Sequence, residues 1–271
     1  MQWNRRLLLL VVLTLASCRR CTVHQQRPSA PRVVLAPCDP SIAPASTEPP
    51  TAVRAPESVS EALQGESACQ AQSPQTFLID AHLSHQALQT AKAQSQWWVA
   101  LQRSIRYRTE QYGYYPGFGL RSWNARPLVN QMRVTKFFGL SVVLHERVVP
   151  ALQCVEQAIE RDCRQVPYRP RSLAGTRQNN TYFGGDVSNH VYGIALDIDP
   201  NDNPCCNCVE PWRSNLRCRG KKSEYQRMAM PECWVSAFER YGFYWLGHDE
   251  LEDTMHFEFL GDPRKVATAA H

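Results

Sequence analysis

The apolar residues of this chain change their period near Tyr168, and that change limits the folds open to it. Upstream, the stretch 84–111 runs without Gly or Pro and sets Leu88, Ala91, Trp98, Leu101 and Ile105 on one helical face. A second helix is predicted over 140–162, with Leu144, Val148, Leu152, Val155 and Ile159 along one side. Pro150 lies inside that pattern and is expected to kink or divide it. Downstream, alternation replaces the helical period. In 191–198, Ile194, Leu196 and Ile198 point one way while Ala195, Asp197 and Asp199 point the other. The stretches 241–246 and 255–260 are also strand-like; in the second, Met255, Phe257 and Phe259 face a core while His256 and Glu258 face away. Helices first and strands after predict an α+β fold, a small antiparallel sheet with helices packed on one face. Trp97 and Trp98 read as packing residues and His145 as a surface helix residue.

The first residues predict the compartment. Arg5 and Arg6 precede an unbroken apolar run, Leu7 to Leu13, too short for a membrane span and of the length of a secretory leader. Its end, Leu15-Ala16-Ser17-Cys18, resembles a bacterial lipobox, with an ordinary secretory signal as the alternative. On the lipobox reading Cys18 is lipidated and anchors the chain to a membrane without spanning it. Arg19, not Asp, then follows Cys18, which by resemblance to Gram-negative lipoproteins implies the outer membrane and a periplasm-facing domain. Loss of Arg5 and Arg6 leaves 28 basic against 25 acidic side chains, a net +3, too weak to argue for nucleic acid.

Of eleven cysteines, ten remain if Cys18 carries lipid, an even number that reads as disulfides in an oxidising compartment. Cys154 is a candidate partner for Cys163. The cluster Cys205, Cys206, Cys208 and Cys218 reads as disulfides or as a zinc knot. The expected organisation is a leader over 1–17, a Pro/Ala/Ser-rich tether over 18–75, a helical extension over 76–134 and a catalytic-type domain over 135–271. That domain carries a cysteine-rich insertion at 205–222. Cys21, Cys38 and Cys69 imply that parts of the tether are stapled.

Two histidines and a carboxylate stand out downstream. The run Ser188-Asn-His190-Val-Tyr-Gly193-Ile-Ala195-Leu-Asp197 is followed by Asp253-Thr-Met-His256-Phe-Glu258. His190, Asp197 and His256 are three candidate ligands, and three protein ligands with one open position suit a catalytic zinc ion. Gly193 permits the turn that brings His190 back over the strand bearing Asp197. Asp253 is placed to act as a general base, since a metal-bound water reaches a pKa of roughly 7 and needs a proton acceptor. Arg177 is the candidate for the oxyanion, with Arg171 its nearest rival. Ser188 is read either as a substrate contact or as a residue that orients the site, Asp199 as a turn cap, and His248 and Glu258 as surface residues or partners that orient a ligand.

Those two motifs resemble the zinc D-Ala-D-Ala carboxypeptidases and peptidoglycan endopeptidases of metallopeptidase family fifteen. The resemblance covers roughly 135–260 and includes Gly242-Phe243-Tyr244-Trp245. It implies zinc held by His190, Asp197 and His256, Asp253 as the base, Arg177 and Ser188 at substrate-contacting positions, and a hedgehog/D,D-peptidase fold acting on peptidoglycan stem peptides. The chain departs from the family at Leu246-Gly247-His248-Asp249-Glu250, where a Gly-Gly-x-Trp stretch is frequent. Two other classes compete: a non-catalytic wall-binding lipoprotein, and a disulfide-rich interaction module whose cysteine cluster is the working surface. An intact Asp253 argues against the first.

Overall fold

The computed structural model describes residues 69–82, 89–180, 187–208 and 210–266. The expected leader, Cys18, Cys21, Cys38 and Leu88 lie outside them. Among the described residues no helix is long and apolar enough to cross a membrane.

A single turn of helix, α1 (Thr76–Ile79), precedes the long α2 (Ala91–Tyr112), whose first turn is capped by Thr90 Oγ1 accepting from Ala93 N. The buried face of α2 is its C-terminal half: Leu101, Ser104, Ile105, Arg108, Thr109 and Tyr112. Its N-terminal half overshoots the core. Trp97 is partly buried and its indole donates to Ala81 O, whereas Trp98 remains 48% exposed, so the packing role expected of both falls to Trp97.

The helix expected over 140–162 is two elements. Leu140–His145 is a strand, β2, paired antiparallel with β1 (Met132–Phe137), and only Val149–Asp162 is helical, as α3. Pro150 divides the pattern, sitting in the first turn of α3, where a missing N–H costs nothing. The run Ser-Val-Val-Leu is rich in β-branched residues, and Phe138-Gly139, both at positive φ, close a two-residue hairpin that pairs Phe137 with Leu140. His145, expected on a helix surface, ends β2 fully buried with Nε2 against Tyr112 O, and burial pushes its pKa down to about 4.

The main sheet has four antiparallel strands in the order β3 (Leu173–Ala174), β4 (Ala195–Ile198), β6 (His256–Phe259), β5 (Phe243–Trp245). The α+β class expected from the sequence is what the chain adopts, with two small sheets instead of one. Helix α4 (Glu232–Arg240) lays Phe238 on one sheet face, stacking on Phe257 at 4.0 Å and meeting Phe137 of the hairpin edge-on, while its Trp234 packs against Phe137 and Phe138. The opposite face of β6 is also covered. His256 and Glu258, expected to face away from the core, are both buried.

Among the described residues, four disulfides tie these parts together. Cys163–Cys233 joins the end of α3 to the start of α4, so Cys163 does not pair with Cys154. Cys154 instead bonds Cys69, which staples that cysteine of the expected tether to α3. The cluster is resolved as Cys205–Cys208 and Cys206–Cys218, not as a zinc knot. Replacing Cys69 and Cys154 together by Ala releases an 85-residue closure. It should cost about 2–4 kcal/mol on the chain-entropy argument, read as a lower urea midpoint under non-reducing conditions. An unchanged midpoint would show that this bond contributes nothing.

Candidate metal centre

Asp197 and His256 come together because β4 and β6 pair with those two residues directly opposite. Cross-strand neighbours on one face hold their Cβ atoms about 5 Å apart, so two short side chains can share a target between them. The third group arrives from a turn. Gly193 N donates to His190 O and Ile194 N to Asn189 O, folding 189–194 back over the start of β4. Gly193 has φ +67°, and a Cβ there would lie 2.5 Å from Met132 Sδ and 2.8 Å from His145 N. The turn therefore requires glycine on both conformational and steric grounds. Buried Arg108 of α2 supports it from below, donating to Val187 O and Asn189 Oδ1.

The three side chains converge on one point. Asp197 Oδ1 lies 2.7 Å from His256 Nδ1 and 3.2 Å from His190 Nε2, and the two nitrogens are 3.1 Å apart. The far nitrogens set the tautomers. His190 Nδ1–H donates to Gly175 O at 2.6 Å, and His256 Nε2–H donates to Glu258 Oε1 at 3.0 Å. Each ring therefore turns a lone pair toward the carboxylate. Three electron-pair donors facing one another need a cation among them, and they fit zinc: ligands at its usual bond lengths sit about 3.4 Å apart. Fixing the outer nitrogen through a carbonyl and a carboxylate is how metal-binding imidazoles are commonly held. A proton competes with the metal for that place. Although burial opposes both shifts, the carboxylates of Asp197 and Glu258 hold His256 well above the ordinary imidazole range, and the imidazoles hold Asp197 below the ordinary carboxylate range.

Asp253 sits in the turn leading into β6, its backbone O accepting from His256 N. Burial raises its carboxyl pKa to about 7, the charges of Asp197 and Glu258 pushing the same way and His256 opposing. Its Oδ1 is buried without a hydrogen-bond partner among the described residues. A carboxyl so tuned can take up and release a proton near neutrality. The cysteine-rich segment holds this turn. Thr254 N donates to Pro204 O, Cys206 N to Glu252 O and Asn207 N to Leu251 O, and Cys205 bridges Asp253 directly.

Arg177 N donates to His190 O, and its guanidinium reaches Asp197 Oδ2 at 3.7 Å while remaining 39% exposed. Its rival Arg171 pairs with Asp202, away from the three ligands. Ser188 is fully buried and its Oγ accepts from His190 N. Asp199 caps the turn after β4, accepting from Arg171 N, Ser172 N and the Tyr168 hydroxyl. His248 packs beside Trp245 with Nε2 near Glu239, apart from the cluster. Two participants escaped sequence reasoning. Gly175 acts through its carbonyl alone, which leaves no side-chain signal. His82, 176 residues before Glu258, is brought against it by the fold. Glu258 itself was legible, since it stands two residues after His256 and period 2 puts both on one face.

Residues 184–259 match a family model described as D-alanyl-D-alanine carboxypeptidase. That match supports the resemblance to metallopeptidase family fifteen. The matched stretch holds His190, Asp197, Asp253, His256 and Glu258, and leaves out Arg177 and His82. No curated protein and no solved structure matches the chain.

The expected ligand and base roles predict different outcomes. His190→Ala and His256→Ala should each lower bound zinc from one ion per chain to near zero, measured by elemental analysis after dialysis. Asp253→Asn should retain the ion. Equal metal loss in all three variants would remove the distinction.

Proposed function

We propose that this chain is a zinc-dependent peptidase that hydrolyses peptidoglycan stem peptides, with the D-Ala-D-Ala bond as its first substrate and carboxypeptidase action as its reaction. The observation that carries this reading is the convergence of His190, Asp197 and His256 beside a buried, unpartnered carboxylate oxygen of Asp253. The family description over 184–259 supports the substrate class.

Zinc bound by those three residues would acidify a water and polarise the scissile carbonyl. The remaining work falls to side chains of this chain. Asp253 accepts a proton from the attacking water and returns it to the departing amine, a transfer for which a carboxyl titrating near 7 is suited. Arg177, tethered through its backbone to the His190 turn, presents a guanidinium where the carbonyl oxygen acquires charge. Glu258 and Gly175 keep the two imidazoles from rotating. The hedgehog/D,D-peptidase fold and this division of roles belong to the same reading.

The proposed setting is the periplasmic face of the outer membrane, with the chain held by lipid on Cys18. Disulfides at all eight described cysteines accord with an oxidising compartment. Tethering would raise the local concentration of the catalytic domain at an insoluble polymer.

Mass spectrometry of pentapeptide muropeptides and cross-linked dimers, incubated with the full-length protein, tests the reading. A chelator-sensitive loss of one alanine is expected, and Asp253→Asn should reduce its rate by about 10²–10⁴-fold. Cleavage of the dimers alone would transfer the assignment to an endopeptidase. No cleavage of any muropeptide by metal-loaded protein would reject the enzyme.

A further inference from the structure

A strap of residues runs along the open end of the main sheet, outside the stretch that matches the family model. It is bonded at several points. Cys69 is disulfide-linked to Cys154, Gln72 N donates to Arg240 O, and the Gln72 side chain accepts from Asp262 N. Gln75 N donates to Leu260 O, while its side chain donates to Gly261 O and the Tyr107 hydroxyl. Leu78 and Ala81 are buried, and Trp97 of α2 clamps the Ala81 carbonyl. The next residue is His82.

His82 is enclosed between two carboxylates and an aromatic ring. Its Nε2 lies 2.9 Å from Glu258 Oε2, its Nδ1 lies 3.1 Å from Asp249 Oδ2, and its ring centroid is 5.6 Å from that of Tyr244. The other oxygen of Glu258 receives His256 Nε2–H. Glu258 is thus gripped from both sides, by the imidazole of the candidate ligand and by the imidazole of the strap. Burial opposes a charge on His82, but Glu258 and Asp249 outweigh it and raise its pKa to about 10. As an imidazolium it donates from both nitrogens and neutralises a carboxylate that is 2% exposed.

We infer that His82 is a positioning residue for the metal centre: by fixing Glu258 it fixes the ring of His256, so the strap 69–82 completes the site. The inference rests on the metal reading above, and concerns a residue that touches neither the ion nor the substrate. Groups that orient metal-bound imidazoles typically control metal affinity or activity by about 10–100-fold. Asp249, the second carboxylate held by His82, comes from the turn 246–250 that follows β5.

The test uses the full-length protein, with zinc affinity measured by competition against a chromogenic chelator and the ligand field read from the visible spectrum of the cobalt-loaded form. His82→Ala should weaken zinc about 10–100-fold and shift the cobalt bands. His82→Gln, whose amide can still donate to Glu258, should recover most of the affinity and the parent spectrum. Unchanged affinity and spectrum in His82→Ala would overturn the inference while leaving the metal centre intact. Loss of far-ultraviolet dichroism shared by both variants would also overturn it, by making His82 a folding residue. A parent protein that binds no divalent metal would reject the metal reading itself.

Discussion

The antiparallel pairing of β4 with β6 is the constraint on which the site depends. It sets Asp197 opposite His256 on a buried face, where an unpaired carboxylate would be expensive. Each neighbour of that pair answers the same cost. His190 is delivered by a turn that only glycine at 193 allows, and Gly175 and Glu258 take the outer imidazole protons. The lone pairs left over all point inward. A slip of one residue in the register would send Asp197 into the aromatic layer beneath α4 and dismantle the cluster.

Strand β6 is covered on both faces by different chemistry. Phe257 and Phe259 join Phe238 and Phe243 in an aromatic layer. His256 and Glu258 project into a polar layer capped by His82 and flanked by Asp253. The aromatic layer gives the strand a rigid support, and the polar layer places reactive groups on it. The disulfides act at the margins of this arrangement. They hold the strap to α3, and they hold the cysteine-rich segment whose backbone is zipped to the turn carrying Asp253.

The helix–strand reading met its limits in specific places. Alternation along 255–260 located β6 but implied a solvated second face, because period 2 reports which residues share a side and not what covers that side. The strap covers it. The apolar steps from Leu144 to Ile159 fitted one helix, yet Ser141 to Leu144 found a strand partner in β1, and long-range pairing outweighed a short local period. Cysteine pairing was not readable at all, since Cys154 lies close in sequence to Cys163 but close in space to Cys69.

The sequence by itself determined the chemistry available: two imidazoles and two carboxylates in motifs with a glycine turn between them, within an α+β pattern. Those features are local, so spacing and period express them. Only the tertiary structure decided that His82 grips Glu258, that Asp253 keeps a buried oxygen without a partner, and that Arg177 reaches Asp197. Each depends on how separate segments pack against one another, and no local pattern of residues encodes it.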